Sequence, residues 1–253
     1  MSLAALLAFA GKVPADAAQA GWRFTDDRGQ TVSLDARPER VVAFSGAAGA
    51  LWDFGVRSLV GVWGPQRGPD GNPDTEIGSL DLDAVESIGE EFGDFNLEKL
   101  AGLRPDLIVT TIYLPGDLRY VPPELVSQVE RVAPVVGINL QGVPLPETIE
   151  RFGELAEAVG ADLGAAEVVR AREAFEAAAE ALRQAAAGKP GLDVLVVALF
   201  PEAFYVTEPS DAWDLAYCRR AIATPRVRAE AHLAQPSRCS GGAGGNLANG
   251  RAQ

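Results

Sequence analysis

Leu103-Arg104-Pro105-Asp106-Leu107-Ile108-Val109-Thr110-Thr111 is the stretch on which the fold turns. Leu97, Leu100 and Leu103 recur every three residues on one helical face, and Asn96 stands where a side-chain cap would accept from the first turn. Arg104-Pro105-Asp106 ends that helix, because proline disfavours the α conformation in the residue before it. Residues 107–111 then run without a charge, four of the five β-branched, as a strand covered on both faces reads. A helix feeding a doubly covered strand is the joint of an α/β unit.

The same joint recurs on either side. Upstream, Trp22-Arg23-Phe24 and Thr31-Val32-Ser33-Leu34 alternate around the turn Asp26-Asp27-Arg28-Gly29 and predict a β-hairpin. Pro38-Glu39-Arg40 leads into the strand Val41-Val42-Ala43-Phe44. Ser45-Gly46 closes that strand, and a small-residue helix runs from 47 to 54. Leu59-Val60-Gly61-Val62-Trp63 is a second strand, 64–78 a long Gly-, Pro- and Asp-rich loop, and Val85-Glu86-Ser87-Ile88 a short segment before Gly89. Downstream, a helix over 124–132 and the strand Val135-Val136-Gly137-Ile138 continue the alternation, which implies a mostly parallel sheet. After Pro146 the pattern turns helical. Ile149, Phe152, Leu155 and Val159 form one stripe. Val168, Ala171, Phe175, Ala178 and Leu182 form another, on a helix predicted over 165–187 and stopped by Gly188, Pro190 and Gly191. Residues 194–200 open a further strand, with Phe204-Tyr205-Val206 placed to pair with it.

Composition narrows the function. The 253 residues carry a net charge of −13, and 1–215 alone carry −18, which disfavours a nucleic-acid or anionic-membrane binder. The single His (His232) and both Cys (Cys218 and Cys239) lie after residue 215. A Ser-His or Cys-His nucleophile system is therefore unavailable in the patterned region, and one His with two Cys argues strongly against a His/Cys metal cage built from this chain alone. An α/β enzyme working through carboxylates on a small anionic substrate stays open, but no paired spacing points to it. Residues 216–253 hold six Arg against one acid and end near a Gly-rich run. They read as an out-of-frame or truncated end, or as a short basic tail. Residues 1–20 combine the apolar run 3–10 with Ala18-Gln19-Ala20 and read as a degenerate export signal without a basic start, or as an untidy helix.

The ordered set Phe24-Thr25-Asp26-Asp27-Arg28-Gly29, Pro38-Glu39-Arg40-Val41-Val42 into Ser45-Gly46, Ile88-Gly89 with Asn96-Leu97-Glu98-Lys99-Leu100, and 103–109 resembles the substrate-binding proteins of bacterial ABC importers, in the subgroup for ferric siderophores, haem or cobalamin. The resemblance covers about 22–215. It implies an α/β fold of two Rossmann-like lobes joined by one long helix, here with the second lobe truncated. The lobes would be 21–146 and the start of a second at 191–215, with helical residues 147–190 between them. It further implies an extracytoplasmic, non-catalytic protein with no cofactor, a ferric siderophore as ligand and an ABC permease as partner. Cobalamin or haem is the alternative ligand, and a non-functional truncated product the alternative reading of the chain.

Ligands of open α/β sheets lie beyond the carboxyl ends of the strands. That rule selects Phe44 and Ser45, where backbone N–H groups at a helix start could meet anionic oxygens. It also selects Trp63, which the resemblance aligns with a cleft aromatic, and the following Gln66 and Arg67, whose guanidinium could pair with an anionic chelate. Tyr113, Arg119 and Tyr120 follow the strand 107–111 in one loop and offer phenol and guanidinium donors to iron-ligating oxygens. The resemblance implies that one of the two tyrosines contacts ligand. Glu90-Glu91-Phe92 occupies a segment where some relatives carry an Arg, so it departs from the pattern. Glu124, at a helix start, matches a surface Glu that meets a permease Arg in the family.

Overall fold

A computed structural model describes residues 21–113, 117–189, 197–199, 204–206 and 216–218. The expected signal segment 1–20 and the tail beyond 218 lie outside the described residues.

The hairpin forms as the alternation predicts. Strands β1 (Trp22–Thr25) and β2 (Thr31–Leu34) pair antiparallel, with Trp22, Phe24 and Val32 buried. Its turn locks onto the main sheet. Asp26, 4% exposed, accepts the backbone N–H groups of Arg28, Gln30 and Gly137, at 2.9, 3.0 and 3.0 Å, and the Arg28 side chain at 2.6 Å. Arg151 ties the hairpin to the fourth helix through Asp27 at 2.7 Å and the Phe24 ring at 4.6 Å.

Five parallel strands make the central sheet: β3 (Val41–Phe44), β4 (Leu59–Trp63), β5 (Glu86–Gly89), β6 (Leu107–Ile112) and β7 (Val135–Asn139), in the order β5-β4-β3-β6-β7. All of β3 and β6 is buried. Helices α1 (Ser45–Asp53) and α4 (Leu145–Ala158) cover one face around Val41, Ala43, Leu51 and Leu155. Helices α2 (Leu97–Leu103) and α3 (Val126–Val132) cover the other around Val42, Ile108, Leu100 and Val129. Asn96 caps α2 by accepting from Lys99 N at 2.9 Å, and Arg104, left-handed at φ 45°, stops it.

The starts of two helices differ from the sequence reading. Helix α1 begins at Ser45 with no intervening turn. The segment after Pro122 opens as a 3-10 turn, Pro123–Leu125, before α3. Helix α5 (Ala166–Ala187) has the predicted extent, about 33 Å at ~1.5 Å per residue. Of its predicted apolar stripe, however, only Val168 is buried, while Phe175 and Leu182 are exposed. Helical spacing marks a face but not what covers it. Strands β8 (Val197–Leu199) and β9 (Phe204–Val206) pair antiparallel after α5.

Candidate functional site

The strand order reverses between β3 and β6, so their carboxyl ends flank the crevice where such sheets hold ligands. Phe44 ends β3, and Tyr113 follows β6. On the β3 side a glycine sets the geometry. A Cβ on Gly49 of α1 would stand 2.6 Å from the backbone carbon of Ile77 and 2.8 Å from the Glu76 carbonyl oxygen. Only glycine lets the 3-10 turn Thr75–Ile77 lie so close to α1. The turn, capped by Asp74, brings Glu76 to the helix start, where the fully buried Ser45 donates its hydroxyl to Glu76 Oε2 at 3.2 Å. Glu76 keeps solvent contact in a concave wall. Desolvation there raises its carboxyl above the ordinary value, the Ser45 hydroxyl and then the Arg119 charge pull it part of the way back, and Asp74 adds to the rise.

On the β6 side a short loop presents Arg119. Leu118 and Val121, each 2% exposed, anchor it in the core shared by α2 and α3. Trp63 Nε1 donates to the Arg119 carbonyl at 2.8 Å. Tyr120 adopts φ 64°, a left-handed conformation that costs a tyrosine roughly 1–2 kcal/mol. Its ring packs on Phe44 at 5.7 Å and under the exposed Phe92 at 6.0 Å. These contacts hold the strained residue in place. The Arg119 guanidinium lies over both tyrosine rings, 4.6 Å from the centre of Tyr113 and 5.1 Å from that of Tyr120. Among the described residues its buried Nε has no hydrogen-bond partner and the guanidinium makes no ion pair.

A cavity of about 930 Å³ opens beside Phe44, Glu76 and Tyr113 and runs on between α1, α4 and α5. Thr111 and Thr148 form part of its wall, and among the described residues their buried hydroxyl oxygens have no hydrogen-bond partner. Among the described residues no group of three or more His, Cys, Asp or Glu could hold a metal ion.

The structure brings Phe44, Ser45, Tyr113, Arg119 and Tyr120 together. It corrects the placement of Trp63 and Gln66 and does not bring Arg67 or Glu124 into that group. Trp63 does not face the crevice; it is 1% exposed, edge-on to Phe95 at 5.8 Å, because its strand-end position falls under the Arg119 loop. Gln66 is buried and donates to Ser87 Oγ and the Gly89 carbonyl, at 3.0 and 3.1 Å, so it fastens its own loop. Arg67 is exposed and reaches back to the Gly71 carbonyl at 3.3 Å. At Ser45 a resident carboxylate, Glu76, occupies the helix start where an incoming anion was expected. Glu124 is exposed in the turn before α3. Glu76, Thr111 and Thr148 escaped the sequence reading. Glu76 lies in a loop without periodicity, and the spacing Asp74-x-Glu76 of its capped turn was the one available signal.

Comparison with solved structures supplies the family. DesE, a ferric-siderophore receptor protein from Streptomyces coelicolor, is 43% identical, with a TM-score of 0.75; the match covers 79% of this chain and 67% of DesE. The chain belongs to the ferric-siderophore receptor family of ABC-importer substrate-binding proteins. Two more distant structures share its fold. The FhuD protein from S. pseudintermedius is 18% identical over 81% of this chain and 66% of its own, with a TM-score of 0.55. VctP, a periplasmic catecholate-siderophore binding protein from Vibrio cholerae, is 20% identical over 75% and 62%, with a TM-score of 0.50. This receptor chain thus spans about two thirds of the length of each. No protein-family model matches the sequence, and a search of curated proteins finds no match.

Proposed function

We propose that this receptor chain binds a ferric siderophore at the carboxyl ends of β3 and β6 and passes it, chemically unchanged, to a membrane permease. One observation carries the reading: a guanidinium lying over two tyrosine rings, without an ionic partner among the described residues, at the switch point of a sheet related to that of DesE. Arg119 and the Tyr120 hydroxyl present donors to the oxygen atoms that ligate iron, and the metal arrives inside its chelate as cargo. Phe92 and Tyr120 offer an aromatic edge to the chelate's apolar surface.

Docking on the permease through the exposed Glu124 and an extracytoplasmic location complete the proposal. The kinship with a ferric-siderophore receptor supports both, as does the exposure of Glu124. Among the described residues no helix is long and apolar enough to cross a membrane. The test is a titration of the purified chain with ferric hydroxamate, catecholate and carboxylate chelates, followed by tryptophan fluorescence. Trp63 bonds the backbone of Arg119, so a ligand on that guanidinium changes the indole's surroundings. Saturable quenching by at least one chelate is expected. A response to none of the three classes rejects the reading.

A further inference from the structure

We propose that Glu76 makes this crevice selective for ferric chelates that carry a cationic arm such as a primary ammonium; the inference deepens the siderophore reading and rests on it. The cavity wall sets five carboxylates, those of Asp53, Glu76, Glu150, Glu154 and Glu157, against the guanidinium of Arg172. Two of the four other than Glu76 are engaged. Asp53 accepts the backbone N–H and hydroxyl of Ser79, and Glu154 pairs with Arg151 at 2.6 Å. Glu76 is the acid held at the strand ends, beside Phe44 and Ser45. Its carboxylate accepts one hydrogen bond, from Ser45, and no cation among the described residues stands within ion-pair distance.

Arg119 is near enough to act on the Glu76 charge, yet its guanidinium lies on the tyrosine rings and forms no ion pair with it. The two charges therefore remain available to different parts of one ligand. The wall between the helices is also polar where it is dry. Thr111 and Thr148 are 1% and 5% exposed, and each leaves a hydroxyl without a partner among the described residues. A ligand that enters deeply enough to bring polar groups to them would complete their hydrogen bonding.

Charge then decides which chelate fits. Three monoanionic bidentate groups neutralise Fe(III), so such a chelate carries only the charge of its arms. Three dianionic groups leave it at minus three. A wall with a net negative charge repels the second kind and draws a cationic arm towards the unpaired carboxylate, while Arg119 meets the oxygens at the metal.

Two ferric tris-hydroxamates test this, one ending in a primary ammonium and the other identical but N-acetylated at that amine. Each is titrated into the full chain at low salt. The ammonium form is expected to bind about fivefold to tenfold more tightly, the scale of one partly solvated charge pair. Glu76→Gln is expected to bring the ratio close to one, and Glu76→Lys to invert it. Equal affinity of wild type for both chelates, or a ratio that survives in both variants, overturns the proposal and leaves the siderophore reading standing. If neither these chelates nor a ferric catecholate binds the wild type, the siderophore reading itself fails and the selectivity falls with it. The wild-type ratio needs no variant, so it decides even where a substitution impairs folding.

Discussion

Replacing Trp63 with Phe separates a buttress from a ligand contact. Trp63 is 1% exposed, sits edge-on to Phe95 and Phe44, and gives its one hydrogen bond to the Arg119 carbonyl at 2.8 Å. Phenylalanine keeps an aromatic ring but loses the indole N–H and part of the volume. Leaving a carbonyl short of its donor costs about 1–3 kcal/mol. The missing ring atoms leave a void, for about 1–2 kcal/mol more, scaled from the ~3–5 kcal/mol of complete aromatic truncations. The sum, about 2–5 kcal/mol, corresponds to a fall of roughly 4–20 °C in melting temperature for a chain of this size. Urea denaturation followed by circular dichroism reads it directly. Chelate affinity should fall as well, because the strained Arg119-Tyr120 turn loses a tether. A ring facing solvent or ligand would behave differently, its loss costing under about 0.5 kcal/mol of stability. A Trp63→Phe protein that melts like wild type while binding collapses would refute the buried placement and the positioning argument together.

Arg119→Gln should weaken ferric-chelate binding by about tenfold to a hundredfold by fluorescence titration, and Arg119→Lys should restore little, because an ammonium neither spreads over two rings nor offers a planar fork. Restoration by Lys would mean that Arg119 acts as a point charge alone. Because Glu76 has a folded-state pKa above its ordinary 4.5, the unfolded chain ionises there first, so wild type should lose stability relative to Glu76→Gln as pH rises from below 4.5 through the raised value. Parallel stability–pH curves for the two proteins would contradict the desolvated placement. Asp26→Ala should cost about 3–5 kcal/mol in urea denaturation, since it strips three backbone N–H groups and Arg28 of their shared acceptor; a loss under 1 kcal/mol would show that the hairpin turn is not what holds β7.

Much of the fold was legible because its signals are local. The uncharged run at 107–111, the Asn96 cap and the Arg104-Pro105 stop are each properties of a few neighbouring residues, and each forms as read. The motif Phe24-Thr25-Asp26-Asp27-Arg28-Gly29 was recognisable as a string, and its physical reason came only with the structure: Asp26 bonds Gly137, 111 residues away. The crevice divides the same way. Tyr113, Arg119 and Tyr120 share one loop and were chosen together. Glu76 and Phe92 reach the same place from other loops; the segment holding Phe92 was marked only as a departure from the family pattern, and Glu76 had no signal beyond the spacing of its capped turn.

Trp63 shows where the boundary falls. Its position at a strand end follows from alternation along the chain, whereas its burial follows from a loop 56 residues later folding over it. The sequence by itself determined the strands, the helices, their alternation and the negative charge, because hydrogen bonding and apolar periodicity act over a few residues. The tertiary structure alone decided that Gly49 admits the Glu76 turn, that Arg119 lies on two rings, and that the α5 stripe stays largely uncovered. Those outcomes depend on distances between segments remote in the chain, and a one-dimensional pattern carries no such distances.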